Sequence, residues 1–146
     1  MIYTERRQNI MVNIPEVKLG VVAVSRDCFP IELSHRRRQA LVSAYRAKGG
    51  EIAEIETIIE NEKDALKALD ELKSAGCNAL VLFLGNFGPE GPETMLVEKF
   101  GMPTMVIAAA EEDTAVLSSD RGDAFCGMLN ASYSLKLRGL TCYIPE

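Results

Sequence analysis

A chain of 146 residues with 47% apolar and 25% charged residues has room for one domain with a sizeable core. Its formal charge of −5 argues against a general nucleic-acid binder, which carries a basic face. No apolar run approaches the roughly eighteen residues a membrane-spanning helix needs, and no apolar signal core follows the polar opening Met1 to Asn13. A cytoplasmic chain without membrane contact is the expectation.

Residues 1–17 carry no hydrophobic period and are interrupted by Pro15, so they read as an N-terminal arm ahead of a single α/β domain over 18–146. Leu19 to Val24 is a short apolar run, the first buried strand. A loop from Ser25 to Leu33 follows, and Ser34 is placed to cap the first helix with its hydroxyl. That helix extends to about Lys48, with Leu41, Ala44 and Tyr45 on one face and Gly49-Gly50 ending it. Arg36, Arg37 and Arg38 fall at its start. They read as a solvated helix end in preference to a phosphate or carboxylate contact.

Glu51 to Glu56 is short and partly charged, which suits an edge strand. Asn61 caps an amphipathic second helix in which Ala65, Leu66, Leu69 and Leu72 share a face, and Gly76 closes it. Asn78 to Leu84 then runs without polar alternation, the habit of a central strand covered on both faces. It stops at Gly85–Glu93, where three glycines and two prolines in nine positions shape a loop. Pro92 suits the first turn of a third helix, which turns Met95, Leu96 and Phe100 inward and ends at Gly101. Thr104 to Ala110 is a further buried strand, and Glu111 to Arg121 an acidic loop. A fourth helix from about Gly122 to Arg138 is expected to bury Phe125, Met128, Leu129 and Leu135. Leu140 to Ile144 reads as a fifth strand.

This order predicts a flavodoxin-like, doubly wound parallel sheet of five strands in the order 2-1-3-4-5, in three α/β/α layers. The switch point lies between the first and third strands, framed by the loops Ser25–Leu33 and Gly85–Glu93. Because the sequence stops just after the fifth strand, more protein is expected to cover that edge, from a longer chain or a partner subunit.

The familiar phosphate and dinucleotide loops are absent, and Gly85-Asn86 stands where a phosphoacceptor domain would carry its aspartate. Arg26 and Asp27 offer a guanidinium fork and a carboxylate to a polar ligand, or else an ion pair that stiffens the loop. Asn86 offers the paired donor and acceptor that sugar hydroxyls require, or else a turn residue tolerating positive φ. Phe87 is suited to stacking on a sugar ring or on a neighbouring subunit, and Glu90 completes the set. The loop is read as facing solvent, so losing Asn86 and Phe87 should weaken substrate use while leaving thermal stability nearly unchanged. Glu111, Glu112 and Asp113 read as a solvated acidic loop rather than a metal cluster, and His35 as a surface residue. The four cysteines are widely spaced. Cys77 and Cys142 are read as core residues, and Cys28 as the one thiol to test for reactivity.

The phrases Ser25-Arg26-Asp27-Cys28-Phe29-Pro30, Leu84-Gly85-Asn86-Phe87-Gly88-Pro89-Glu90 and Ala108-Ala109-Ala110-Glu111-Glu112 resemble the N-terminal domain of L-fucose/L-arabinose isomerase-like proteins. The resemblance covers the chain from about Val17 onward. It implies an aldose–ketose isomerase that works with a divalent cation, typically Mn2+, and assembles as a homo-oligomer. The metal ligands of such proteins belong to a later domain, so no cofactor is expected on this chain and the domain alone should be inactive. The resemblance makes Arg26, Asp27, Asn86, Phe87 and Glu90 contributors to a sugar pocket, often that of a neighbouring subunit. The alternative is a free-standing flavodoxin-like domain that binds a small ligand or regulates.

Overall fold

The computed structural model describes residues 13–112 and 121–145. Its elements are β1 (Leu19–Val24), α1 (Ile31–Ala47), β2 (Ala53–Glu54), α2 (Glu62–Ser74), β3 (Ala79–Leu84), α3 (Glu90–Phe100), β4 (Thr104–Ala108) and α4 (Ala124–Leu137). The uninterrupted apolar run of β3 takes the middle of the sheet. It pairs in parallel with β1 over six residues on one side, Leu19 against Ala79 through Val24 against Leu84. On the other side it pairs with β4, Leu80 against Thr104 through Leu84 against Ala108. The order is β2-β1-β3-β4, with β2 a two-residue edge strand.

Side chains alternate between the two faces of these strands, so the sheet is covered twice. Val21, Ala23, Val81 and Phe83 meet Val42 of α1 on one face. Val22, Val24, Leu80, Leu82, Leu84 and Val106 meet α2, α3 and α4 on the other. The result is a three-layer parallel α/β domain, in keeping with a flavodoxin-like fold.

The fifth strand is a correction. The segment after α4 does lie beside β4, but it makes a single parallel bridge, Met105 with Tyr143. Tyr143 N donates to Thr104 O at 2.9 Å, and Val106 N donates to Tyr143 O at 2.8 Å. The next rung of a parallel ladder would need an amide donor at position 145, which is Pro145, and proline has none.

The helices differ from expectation in where they start and which faces they bury. α1 begins three residues before Ser34, so Ser34 lies within the helix, buried, its hydroxyl donating to Val24 O at 2.6 Å instead of capping. That places Arg37 and Arg38 in the second turn. They follow Leu33 and Ser34 by four residues on the sheet-facing side and are 8% and 3% exposed, so the solvated reading fails for both. In return Ala44 and Tyr45 face out. In α2, Asn61 caps as expected, its side chain accepting from Lys63 N and Asp64 N. Ala68 takes the buried position and Leu66 is 45% exposed.

α4 follows its sequence reading only in part: Leu135 is buried and Met128 packs half-buried against the core, but Phe125 and Leu129 are exposed, as are Tyr133 and Leu137, and Ala124, Gly127 and Ala131 take the buried positions. Glycine stands at 127 because the helix there lies directly on the Phe87 backbone. A Cβ at Gly127 would collide with Phe87 O and would sit 2.6 Å from Phe87 C and 2.7 Å from its Cα. Backbone cannot swing aside as a side chain can, so Gly127→Ala should destabilise the domain by about 1–3 kcal/mol. Urea unfolding measures this, and a loss under about 0.5 kcal/mol would mean that α4 slides freely over the loop.

Candidate functional site

The loops after β1 and β3 meet at the carboxyl edge of the sheet, at the point where the strand order reverses. Asn86 joins them. It is fully buried, its Oδ1 accepts from Arg26 N at 3.1 Å, and its Nδ2 donates to Ser25 Oγ at 2.8 Å and to Pro30 O at 3.3 Å. The amide therefore spends its hydrogen-bonding groups on the fold. The expectation that this loop faces solvent does not hold at Asn86.

With the loops tied, three groups line up above the amide. The Arg26 guanidinium lies over the Phe87 ring, 4.6 Å from its centroid, a cation–π contact. Phe29 stacks against the other aromatic, with ring centroids 6.2 Å apart and planes 2° from parallel. Arg26 Nη2 also pairs with Glu90 Oε2 at the start of α3, and Glu90 Oε1 accepts from Asn130 Nδ2 on α4. The Arg26 and Glu90 side chains remain about one-third exposed, at 33% and 30%. A cation, a carboxylate and an aromatic face are thus gathered at one opening, with Asp27 exposed in the adjoining turn.

Two further groups stand beside these: Glu93, which the sequence reading passed over, and Arg37, which makes the carboxylate contact that reading ranked second. Glu93 lies one turn into α3, 1% exposed, and neither carboxyl oxygen has a hydrogen-bond partner among the described residues. Burial, with repulsion from Glu90 added and the pull of Arg26 opposing, raises its pKa from the ordinary 4.5 to about 8. Arg37 braces the neighbouring loop, Nη1 donating to Gly85 O at 2.7 Å and Nη2 to Glu111 at 3.1 Å and Glu112 at 2.6 Å. Burial opposes its charge, but the two carboxylates outweigh that and hold its pKa above the ordinary arginine value. Glu111 in turn accepts from Gly122 N at 3.2 Å, which links the end of β4 to the approach to α4. The acidic pair is exposed, as a solvated loop would be, and is in addition a partner for Arg37, while Asp113 lies outside the described residues.

The other candidates stand apart. His35 Nδ1 is 3.9 Å from Glu32 on the same helix. Cys28 and Cys126 are exposed, and Cys77 and Cys142 are half-buried against the core, where burial pushes both thiols up. No cluster of three or more His, Cys, Asp or Glu that could hold a metal ion occurs among the described residues. With Glu111 and Glu112 committed to Arg37 and Glu90 to Arg26 and Asn130, the donor set does not fit a divalent cation. No step through a metal is assigned to these residues. No helix among those described is long and apolar enough to cross a membrane.

The chain is thus a parallel α/β domain that gathers an arginine, a carboxylate and an aromatic ring at its carboxyl-edge loops, without a phosphate loop. The model of the fucose/sulfoquinovose isomerase N-terminal domain matches residues 20–146, and the chain belongs to that family. No match was found among the curated proteins. Among solved structures, a LacI-family transcriptional regulator from Weissella paramesenteroides with bound glucose superposes with a TM-score of 0.39 at 12% identity. The match covers 88% of this chain and 58% of that one, so the chain spans less than two thirds of that structure, and an overlap this low carries no argument.

Proposed function

We propose that this domain forms one wall of the sugar pocket in a metal-dependent aldose–ketose isomerase. The observation that carries the reading is the Arg26–Phe87–Glu90 group at the strand-order reversal, in a chain whose family is that of isomerase N-terminal domains. Arg26 donates to sugar oxygens, Asp27 and Glu90 accept from hydroxyls, and the Phe87 ring offers its face to the C–H side of the sugar. Asn86 serves the same site from below by holding the Arg26 backbone in place. Mn2+ or another divalent cation, which polarises the carbonyl and hydroxyl oxygens, and the base that moves the proton belong to other domains of the full-length protein. The partners on this reading are the sugar, those later domains and further copies of the chain.

In the full-length protein, Arg26→Ala should lower kcat/KM for its aldose by at least about tenfold, the worth of one hydrogen bond from a charged group. Thermal unfolding of the variant controls for folding. Residues 1–146 alone, supplied with Mn2+ or Mg2+, should interconvert no aldose and ketose. Unchanged kcat/KM in the variant removes the pocket assignment, and turnover that survives repurification of the isolated domain removes the division of labour.

A further inference from the structure

Buried polar groups are almost always hydrogen-bonded, so an acid with two orphaned oxygens at the edge of a candidate pocket calls for a role. Glu93 is held beneath the bend at Gly88, whose φ of 74° only glycine adopts without strain. Glu93 Oε1 and Val24 Cγ2 fill the space that a Cβ at Gly88 would need, so the carboxyl is pressed between the bend and the end of β1. The charged groups that face it are Glu90 on its own helix and Arg26 from the loop after β1. Val24 of β1 and Gly88 of the bend are neutral neighbours there, and α4 contributes the neutral Asn130 through Glu90. Glu62 of α2 lies farther out, against Gly91.

We propose that Glu93 is a proton-controlled positioning residue for Arg26. When neutral it leaves the guanidinium to Glu90 and the Phe87 ring; when ionised it competes with Glu90 and draws the guanidinium off the ring. The inference rests on the reading of Arg26 as a sugar contact. It goes further in making the domain's hold on a sugar depend on pH at a residue that never touches the sugar. A carboxyl raised to about 8 places the change within reach of ordinary buffers.

Two measurements test it. The first needs no ligand: in the 146-residue chain, the Glu93 side-chain carbon is titrated by 13C NMR while the Arg26 Nε–H resonance, shifted by the Phe87 ring, is followed. Both should move with one midpoint near 8, and the Arg26 movement should vanish in Glu93→Gln. A Glu93 midpoint near 4.5, or an Arg26 resonance indifferent to Glu93, overturns the proposal.

The second uses the full-length protein and L-fucitol, a reduced sugar that cannot isomerise, with its affinity measured by calorimetry from pH 6.5 to 9.5. Wild-type affinity relative to Glu93→Gln should fall by about fivefold across that range, and a purely structural role would not produce this pH dependence. Parallel profiles for wild type and Glu93→Gln, with Arg26→Ala weak at every pH, overturn this inference and leave the pocket reading standing. If Arg26→Ala binds L-fucitol as wild type does, or if no variant binds it, the pocket reading fails and takes the inference with it.

Discussion

Between pH 5 and 8 the domain should lose on the order of 4 kcal/mol of stability relative to a Glu93→Gln variant, and then lose no more. The cause is that Glu93 holds its proton in the folded state to about pH 8, whereas in the unfolded chain it releases it near 4.5. A group whose folded pKa is raised contributes stability that is complete below the unfolded value and lost as pH rises through the folded one. Within the window the slope is close to −1.4 kcal/mol per pH unit, since one proton is released on unfolding. Other shifted groups act elsewhere. Burial raises Glu71, but hydrogen bonds from Thr57 and the Glu56 amide, with the charge of Lys67, together outweigh it and hold it low; the hydrogen bond from Arg37 holds Glu112 low, so both act below the ordinary carboxyl range. Cys77 and Cys142 are pushed above 9.0. Urea titrations of both proteins at pH 5, 6.5, 8 and 8.5 give the difference directly. A flat difference would mean that Glu93 is solvated or paired in solution.

That acid was legible in part. Positions 93, 96, 97 and 100 recur at helical spacing, and all four are buried in α3, so the periodicity that assigned Leu96 and Phe100 inward also reaches Glu93. A charged residue on such a face is easily passed over, because burial of an unpaired carboxyl is costly and therefore rare. Arg37 and Arg38 were lost for a related reason. Placing the helix start at Ser34 put them in a first turn where solvation was natural, whereas starting at Ile31 puts them against the sheet edge and its loops. Strand order and the central place of β3 were readable, since a continuous apolar run has no face to spare for water. α4 was readable only at Leu135 and the half-buried Met128, because the sequence shows which residues are large but not that the Phe87 backbone lies too close to Gly127 to admit a side chain there. The choice of glycine at 127 on the inner face is set by a contact with a loop 40 residues away.

Asn86 turns on the same kind of long-range contact, and its replacement separates two roles that share one side chain. If it served mainly as a sugar contact on an open loop, Asn86→Ala would leave stability alone. The geometry argues otherwise, because truncation leaves the Arg26 amide without its acceptor and fully buried Ser25 Oγ without the Nδ2 donor. Each orphaned buried group costs about 1–3 kcal/mol, and an unfilled space beneath the loop adds to it. Asn86→Ala should therefore destabilise the domain by about 2–4 kcal/mol, lowering Tm by on the order of 10 °C. Asn86→Asp is the sharper probe. It keeps an acceptor for Arg26 N but loses the donor to Pro30 O and sets a buried carboxylate against that carbonyl, so it should be no better tolerated than alanine at neutral pH. Acidification, by protonating the new carboxyl, should recover part of the loss. The measurement is urea unfolding of the three proteins at pH 5 and 7.5. An alanine variant within about 0.5 kcal/mol of wild type would free the amide from its structural duty and return it to the sugar.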